Sequence, residues 1–443
     1  MNTQPQDPTT LSDRLLLLGR LAVFAWLFFL SIEALGSGMK ASFKHAVEAY
    51  LAAHGASFTE LVSFVVGVIG TSLVQSSSTV TSMAVVLTQE GILPLLIAVG
   101  IVHGANLGTS VTSSIVAFFS EMPPLTGNPL VDLRTLLFTP RQASFRRAVS
   151  TAVVHGLFNA LLVTSILLVL ELPFGIIRNA ASASASAVAG SLAGIGWIEQ
   201  LLAYTSPKTY TAPLVDAVLG TGLPGWALVI LSFGLLFASL RGFAGTMTAA
   251  LTQGETDPNP RALGEKLLGR RPLDTFLRGL FLTILVQSSS ATTSMVVPLA
   301  ALGFFSLRQV FPFIMGANIG TTTTALIVAA TALGQPGFQE GMTIALCHFY
   351  LNVLAVLLVV VVPGLQHSVL GSAEWLAHAA ERAPVALLAY LGALAVVMPL
   401  VVLLLPTQLA SVALGAMVVF VLVAPHLSRV RPGGDFDGLA TEA

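Results

Sequence analysis

Long apolar runs follow one another along the chain, separated by short polar stretches. A membrane crossing takes about 20 residues. On that measure Leu15–Leu35, Ala148–Leu170, Gly225–Leu240, Gly341–Val362, Pro384–Leu404 and Leu409–Val423 each predict a spanning helix. Two segments depart from the template. Glu60–Glu90 and Thr275–Leu302 each carry Gln-Ser-Ser-Ser near the middle, and at about thirty residues they fall short of the roughly 40 that two crossings and a turn require. Both predict re-entrant helical hairpins whose tips meet near the midplane. Backbone leaves the helix at membrane depth only where protein or a wet cavity satisfies it, and a serine-rich tip brings its own hydroxyls. The alternative is one long tilted span with its serines packed against neighbours.

The polar positions recur. Thr71–Met83 (TSLVQSSSTVTSM) returns as Thr283–Met295 (TILVQSSSATTSM), identical at ten of thirteen positions and 212 residues apart. At the same offset Gly104–Ala117 (GANLGTSVTSSIVA) returns as Gly316–Ala329 (GANIGTTTTALIVA), with nine of fourteen identical. One constant offset for two blocks means a duplicated structural unit. Two glycines around an Asn in mid-span each weaken a helix by about 1 kcal/mol relative to Ala, so both Gly-Ala-Asn spans are expected to break. The competing reading is close helix packing through small residues. A third pair, His155-Gly-Leu-Phe-Asn159 and His348-Phe-Tyr-Leu-Asn352, lies 193 residues apart. His and Asn four apart share a helix face, where they support a break, relay protons or tie helices together.

Composition places the chain in a bilayer. Hydrophobic residues are 55% and charged residues 9% of 443, and mean hydropathy is +0.86, against about 25% charged in soluble domains. The formal net charge of −1 gives no reason to invoke nucleic acid. The run after Arg14 reads as a first span and not as a removed signal peptide. The single Cys347 excludes an internal disulfide and a multi-cysteine metal site.

Arg and Lys set the expected orientation. Arg134, Arg141, Arg146 and Arg147 fall in one connection, and Arg261, Lys266, Arg270 and Arg271 in another; the tail adds Arg429 and Arg431. Glu171–Pro224 holds only Arg178 and Lys208. The Arg-rich connections and both termini are therefore expected in the cytoplasm and 171–224 outside, although Lys40 and Lys44 then fall outside too. The predicted layout is a cytoplasmic tail 1–14, a first repeat 15–170, an external loop 171–224, a second repeat 225–362, two additional spans in 363–425, and a cytoplasmic tail 426–443. The fold class is an all-α integral membrane protein, an inverted-repeat transporter with two re-entrant hairpins and two broken transmembrane helices. The run Ala180–Ala189 (AASASASAVA) reads as a spacer in the external loop. Glu33, Glu90 and Glu340 read as interface charges, and His103, whose counterpart in the other copy is Met315, is assigned no role.

Helix N-termini meeting at one point offer N–H groups and partial positive charge to an anion. Ser76, Ser77, Ser78, Ser288, Ser289 and Ser290 add hydroxyl donors. Gln75, Gln287, Asn106, Asn318, the Thr hydroxyls and unwound carbonyls add neutral oxygens, which suit a hard cation such as Na⁺. No Asp, Glu, Lys or Arg sits inside any of the four blocks. An empty site without charge admits an anion together with cations, the pattern of an oxyanion symporter.

The paired QSSS motifs, the G-A-N-[LI]-G-T blocks and the H-x-x-x-N helices together resemble the type II sodium–phosphate cotransporter family, including its bacterial members. Phe145-Arg-Arg-Ala148 and Ala345-Leu-Cys-His348 are similar to family sequence too, and the resemblance runs from about Leu15 to Val423. It implies Na⁺-driven symport of inorganic phosphate by alternating access in the plasma membrane (the bacterial inner membrane), with Na⁺ as coupling ion, no other cofactor and no enzymatic activity. It also implies a sodium site of Gln287, Ser288, Thr321 and Thr324, with first-repeat counterparts Gln75, Ser76, Thr109 and Thr112. The six tip serines, with Asn106 and Asn318, would hold phosphate. In the electrogenic vertebrate branch the residue after the first-repeat His is Asp; here it is Gly156, so two Na⁺ per divalent phosphate and no net current are expected. The external loop lacks the vertebrate cysteines, and the chain ends at Ala443 where some bacterial relatives continue into a soluble regulatory domain, so regulation of that kind is not expected.

A Na⁺-coupled carrier of another oxyanion or a dicarboxylate fits the same architecture. A serine hydrolase built on His155 or His348 would need an orienting acid. None lies near either His on its helix, and G-x-S-x-G is missing. A passive channel is the remaining class.

Overall fold

The computed structural model describes residues 60–89, 91, 93–121, 123, 126–192, 208–228, 271–286, 288–330 and 337–427, with shorter stretches within 15–42, 230–246 and 268–269. Among these residues the fold is entirely helical. Its first helix, α1, covers Leu15–Phe24. Five helical stretches have the length and apolar composition to cross a membrane: Leu95–Phe119, Ala143–Phe174, Leu307–Ala330, Phe338–Val361 and Val385–Leu404. They match the predicted spans at 148–170, 341–362 and 384–404 within a turn or so, and the predicted 409–423 span lies inside a helix at Thr407–Leu427. The predicted spans at 15–35 and 225–240 fall partly outside the described residues.

Both QSSS segments are helix–break–helix. In the first copy α2 (Glu60–Val74) and α3 (Ser77–Gln89) flank Gln75 and Ser76. The chain continues through α4 (Leu95–Gly108), α5 (Ser110–Phe119), the short α6 (Pro129–Phe138), α7 (Ala143–Phe174), α8 (Ile176–Leu192) and α9 (Lys208–Gly220). In the second copy α10 (Pro272–Val286) and α11 (Ser289–Ala301) flank the tip. They are followed by α12 (Leu307–Ala330) and α13 (Phe338–Val361). The remainder is α14 (Pro363–Arg382), α15 (Val385–Leu404) and α16 (Thr407–Leu427).

The expected break in the Gly-Ala-Asn spans is a one-residue interruption in the first copy, where α4 ends at Gly108 and α5 starts at Ser110, and is absent from the second. α12 runs unbroken through Gly316–Thr321. Between α4 and α5 the chain only turns at Thr109, which keeps right-handed helical angles. The glycines serve close packing instead. A Cβ on Gly104 would meet the Phe64 carbonyl, and one on Gly316 would meet the Phe276 carbonyl; Gly108 and Gly320 stand in the same relation to Val68 and Leu280. Each of these pairs is related by the 212-residue offset. Helix α2 thus lies backbone to backbone on α4, as α10 does on α12, because only residues without side chains permit that approach.

The inner arms cross over. α3 packs against α12 and α13 of the other copy, and α11 packs against α5 and α7. Phe158 of α7 meets Phe311 of α12 edge to face at 5.9 Å between ring centroids, a favourable aromatic geometry. The far ends of the inner arms are clasped differently. At the end of α11 the Ala301 carbonyl accepts from Arg147 Nε (3.0 Å) and Nη2 (2.7 Å). At the end of α3, Gly337 (φ 83°) and Gly341 lie directly on Gln89, whose Nε2 donates to the Ala329 carbonyl at 3.2 Å.

Three features correct the sequence reading. The run Ala180–Ala189 is not a spacer but part of α8, whose fully buried Ala181 and Ala185 pack toward α13. Ser184 and Ser186 of α8 accept hydrogen bonds from Tyr350 and Gln339 of that helix, each at 2.7 Å. Alternating Ala and Ser reads as low complexity, yet Ala is the strongest helix former and gives a narrow packing face. The region 363–425 holds, besides the helices at its two expected spans, a third that the sequence reading lacked: the amphipathic α14 packs on α7 and is tied to α16 by Ser372 Oγ donating to the Val421 carbonyl at 2.6 Å. Glu171, placed in a loop, ends α7 fully buried. Its Oε2 accepts from the Ile177 and Arg178 amides, and Arg178 lies 3.6 Å from Glu60 and 3.7 Å from Glu171.

Helix α6 shows how local chemistry fixes an element. Asn128 Oδ1 accepts from the Leu130 and Val131 amides and Pro129 occupies the first turn, a helix-start combination. Asp132 closes the preceding turn, accepting from Thr126 Oγ1 (2.6 Å), Thr126 N (2.7 Å) and Gly127 N (3.0 Å). These bonds, that of the Thr126 hydroxyl first, hold its carboxyl below the ordinary value of 3.8. With the folded value depressed, the bonds stabilise the turn fully above about pH 4, and this is lost as pH falls through the folded value. Amide exchange at Gly127 is expected to lose protection in that acid window, whereas in Asp132→Asn protection should be weaker at neutral pH and should not change there.

Candidate functional site

The two tips are built alike. Gln75 ends α2 in the left-handed region at φ 57°, the single non-glycine residue with positive φ among the described residues. Such a conformation costs about 1–3 kcal/mol and persists only where the surroundings impose it. Three contacts do so: its amide donates to the Thr71 carbonyl at 2.8 Å, its side-chain amide donates to the Ser72 carbonyl, and its Oε1 accepts from Thr112 Oγ1 at 2.5 Å. Ser76 then caps α3, its Oγ accepting from the Thr79 amide at 3.1 Å. In the second copy Ser288 is extended (φ −153°, ψ 111°) and caps α11 through the Ala291 amide at 3.2 Å. Gln287 lies outside the described residues.

Both tips reach the segment between Thr109 and Thr112. Gln75 meets Thr112, while Ser290 Oγ reaches across the repeats to the Thr109 carbonyl at 3.3 Å. The Ser289 amide donates to Thr321 Oγ1 at 2.9 Å. The structure therefore brings Gln75, Ser76, Thr109 and Thr112 together with Ser288, Ser289, Ser290 and Thr321. All six tip serines, Thr109, Thr112, Thr321 and Thr324 are less than one tenth exposed. α3 and α11 both start at the tips, so their first-turn N–H groups and positive dipole ends face this region.

Asn106 and Asn318 stand behind the tips in a different setting. Asn318 Oδ1 lies 2.6 Å from His155 Nε2, and its Nδ2 donates to Asn159 Oδ1 at 2.8 Å. Asn106 Oδ1 faces His348 Nε2 and Asn352 Nδ2, each at 3.3 Å, and its backbone carbonyl accepts from Asn159 Nδ2 at 2.7 Å. The H-x-x-x-N helices thus tie the two copies together, the structural alternative of the sequence reading. All six residues are at most 2% exposed.

Other residues escaped the sequence reading. Thr71 and Thr283, and likewise Ser82 and Ser294, are repeat-related pairs of buried hydroxyls without a hydrogen-bond partner, as is that of Thr324. Their identity within the thirteen-residue blocks was the available signal. Tyr390 of α15 gave none, because it lies outside both repeats. Its buried hydroxyl sits beside Ser110 over Gly156, where an added Cβ would collide with it. His103 is fully buried with Nδ1 2.8 Å from the Val99 carbonyl.

Buried polar tips on two copies of one helical unit, among helices of membrane length and apolar composition, define a multi-pass integral membrane protein. Comparison with known proteins narrows the class. The chain belongs to the Na⁺/Pi-cotransporter family, whose model matches residues 27–126 and 246–398, more than half of its length. It is 28% identical over 411 residues to sodium-dependent phosphate transport protein 2A of Ovis aries, covering 77% of this chain and 60% of that protein. Over 414 residues it is 27% identical to the Mus musculus protein 2A (80% and 62%), and over 424 residues 25% identical to protein 2B of Homo sapiens (78% and 58%). The chain thus spans about 60% of the length of these relatives. No solved structure matches it.

Proposed function

We propose that the chain is a Na⁺-coupled symporter of inorganic phosphate that works by alternating access, its two repeats inverted and both QSSS segments re-entrant. The observation that carries this reading is the paired tip: two buried, uncharged serine turns at helix N-termini, reaching the Thr109–Thr112 turn and Thr321. Phosphate sits among Ser76, Ser77, Ser78, Ser288, Ser289 and Ser290, with Asn106 and Asn318 behind them. Na⁺ sits at Gln287, Ser288, Thr321 and Thr324, and at Gln75, Ser76, Thr109 and Thr112. The partnerless Thr324 hydroxyl supports the first of these sites. Both termini face the cytoplasm across the plasma membrane, the inner membrane in a bacterial cell.

Symport is electroneutral in this reading, two Na⁺ with one divalent phosphate. Gly156 supports it, because the Tyr390 and Ser110 side chains occupy the place where the electrogenic branch carries a carboxylate. A phosphate-induced inward current in proteoliposomes would refute that stoichiometry.

The central test is phosphate uptake into proteoliposomes with Na⁺, K⁺ or Li⁺ outside. A Na⁺ gradient should concentrate phosphate, and Gln287→Ala and Ser288→Ala should abolish this while the proteins remain folded. Equilibration without concentration would indicate a channel. Equal competition by sulfate or a dicarboxylate would move the substrate to another oxyanion.

A further inference from the structure

The ties between the repeats are unequal in a way that points to a switch. Asn318 donates through Nδ2 to Asn159, so its oxygen faces His155 and the imidazole donates through Nε2. In this first strap both bonds are short, at 2.6 and 2.8 Å. The repeat-related strap joins His348 and Asn352 of α13 to Asn106 of α4, and there both contacts are 3.3 Å. The counterpart of the Asn318–Asn159 bond would run from Asn106 Nδ2 to Asn352 Oδ1. It is not made, and those two buried atoms have no hydrogen-bond partner. Donor and acceptor of the missing bond thus both lack a partner, on two side chains that touch through Asn352 Nδ2 and Asn106 Oδ1 instead.

We propose that His155 and Asn159 on one helix, and His348 and Asn352 on the other, are positioning residues that set which side of the membrane the site opens to. In the structure described the first strap is drawn tight and the second is slack. In the opposite access state the second strap forms the bond from Asn106 Nδ2 to Asn352 Oδ1 while the Asn318–Asn159 bond opens. As one repeat rocks against the other, the two straps join it to its partner from opposite copies, so the switch keeps one such bond in each state. Asn106 and Asn318 also belong to the phosphate site in the reading above, which links the switch to the site. The inference rests on the alternating-access reading above.

The test uses Asn159→Ala and Asn352→Ala in proteoliposomes of defined orientation. The phosphate KM is measured from each face at saturating Na⁺. Asn159→Ala removes from the state described the 2.8 Å bond to Asn318 and the 2.7 Å bond to the Asn106 carbonyl, whereas Asn352→Ala removes there only the longer 3.3 Å contact between the copies and, in the opposite state, the proposed bond from Asn106. Each should change the ratio of outside to inside KM about fivefold, in opposite directions, as expected when one buried hydrogen bond biases a two-state equilibrium. A purely structural role would shift both faces alike. If either variant fails to fold, His155→Leu and His348→Leu make the same comparison. Ratios that stay at the wild-type value, or move in the same direction, in transport-active variants overturn the switch. Absence of Na⁺-dependent uptake in the wild type would instead sink the transport reading itself.

Discussion

Gly104→Leu should leave little folded protein, and Gly316→Leu should do the same. A Cβ at either position would meet the backbone carbonyl of a neighbouring helix, that of Phe64 or Phe276. A side chain in the way can change rotamer, but a carbonyl held in its helix cannot. The helices must therefore part along their whole glycine stripe. Overpacking in a core costs about 1–3 kcal/mol, occasionally more, and displacing backbone belongs at or beyond the top of that range. Thermal unfolding of the purified protein in detergent measures the effect. Gly415→Ala is the control: it lies within α16 with nothing within 4 Å of the added Cβ, so it should gain up to about 1 kcal/mol from helix propensity. A Gly104→Leu protein that unfolds at the wild-type temperature would mean that α2 and α4 do not touch in this way.

The second large effect falls on transport. Thr321→Val is nearly isosteric, yet it removes the oxygen that accepts from the Ser289 amide at the start of α11. A buried donor left unpaired costs about 1–3 kcal/mol, or about 5- to 150-fold in an equilibrium. Thr112→Val does the equivalent in the first copy, freeing Gln75 Oε1 and with it the left-handed turn. Each variant is expected to lower Na⁺-dependent phosphate uptake by at least about tenfold while remaining folded. Thr88→Val calibrates the comparison: its hydroxyl only bonds the Ala84 carbonyl one turn back, and such a bond adds little to helix stability, so uptake should stay near wild type. Equal uptake by all three would return Thr112 and Thr321 to packing roles.

The repeat was the most legible feature of the sequence. Ten identical residues in thirteen at one offset announced paired tips, and the structure pairs Gln75 with Thr112 and Ser289 with Thr321. Glycine was ambiguous, because the same missing Cβ permits a broken helix or a close contact; only the neighbouring helix decides between them, and at Gly104 and Gly316 it decided for contact. Helix α14 escaped detection because a scan for apolar runs passes over Gln366, Ser368, Ser372 and Glu374, which lie on an amphipathic helix tucked against α7. The ion cluster of Glu60, Glu171 and Arg178 was invisible for another reason. Its members are far apart along the chain or sit in a segment that reads as loop, and a positive charge counted toward orientation gives no hint that it is shared by two buried carboxylates.

The two clasps at the far ends of the inner arms differ in one respect that bears on energetics under a membrane potential. Arg147 holds Ala301 with a fixed positive charge, whereas Gly337 and Gly341 meet Gln89 with none. If the proposed alternating access releases the clasps in turn, opening the first moves a guanidinium at the start of α7 and opening the second moves no charge. A full charge crossing that potential is worth about 2.3 kcal/mol per 100 mV, and even a small fraction of this tilts one half of the cycle. A carrier that moves no net charge per turn would then still run at a voltage-dependent speed.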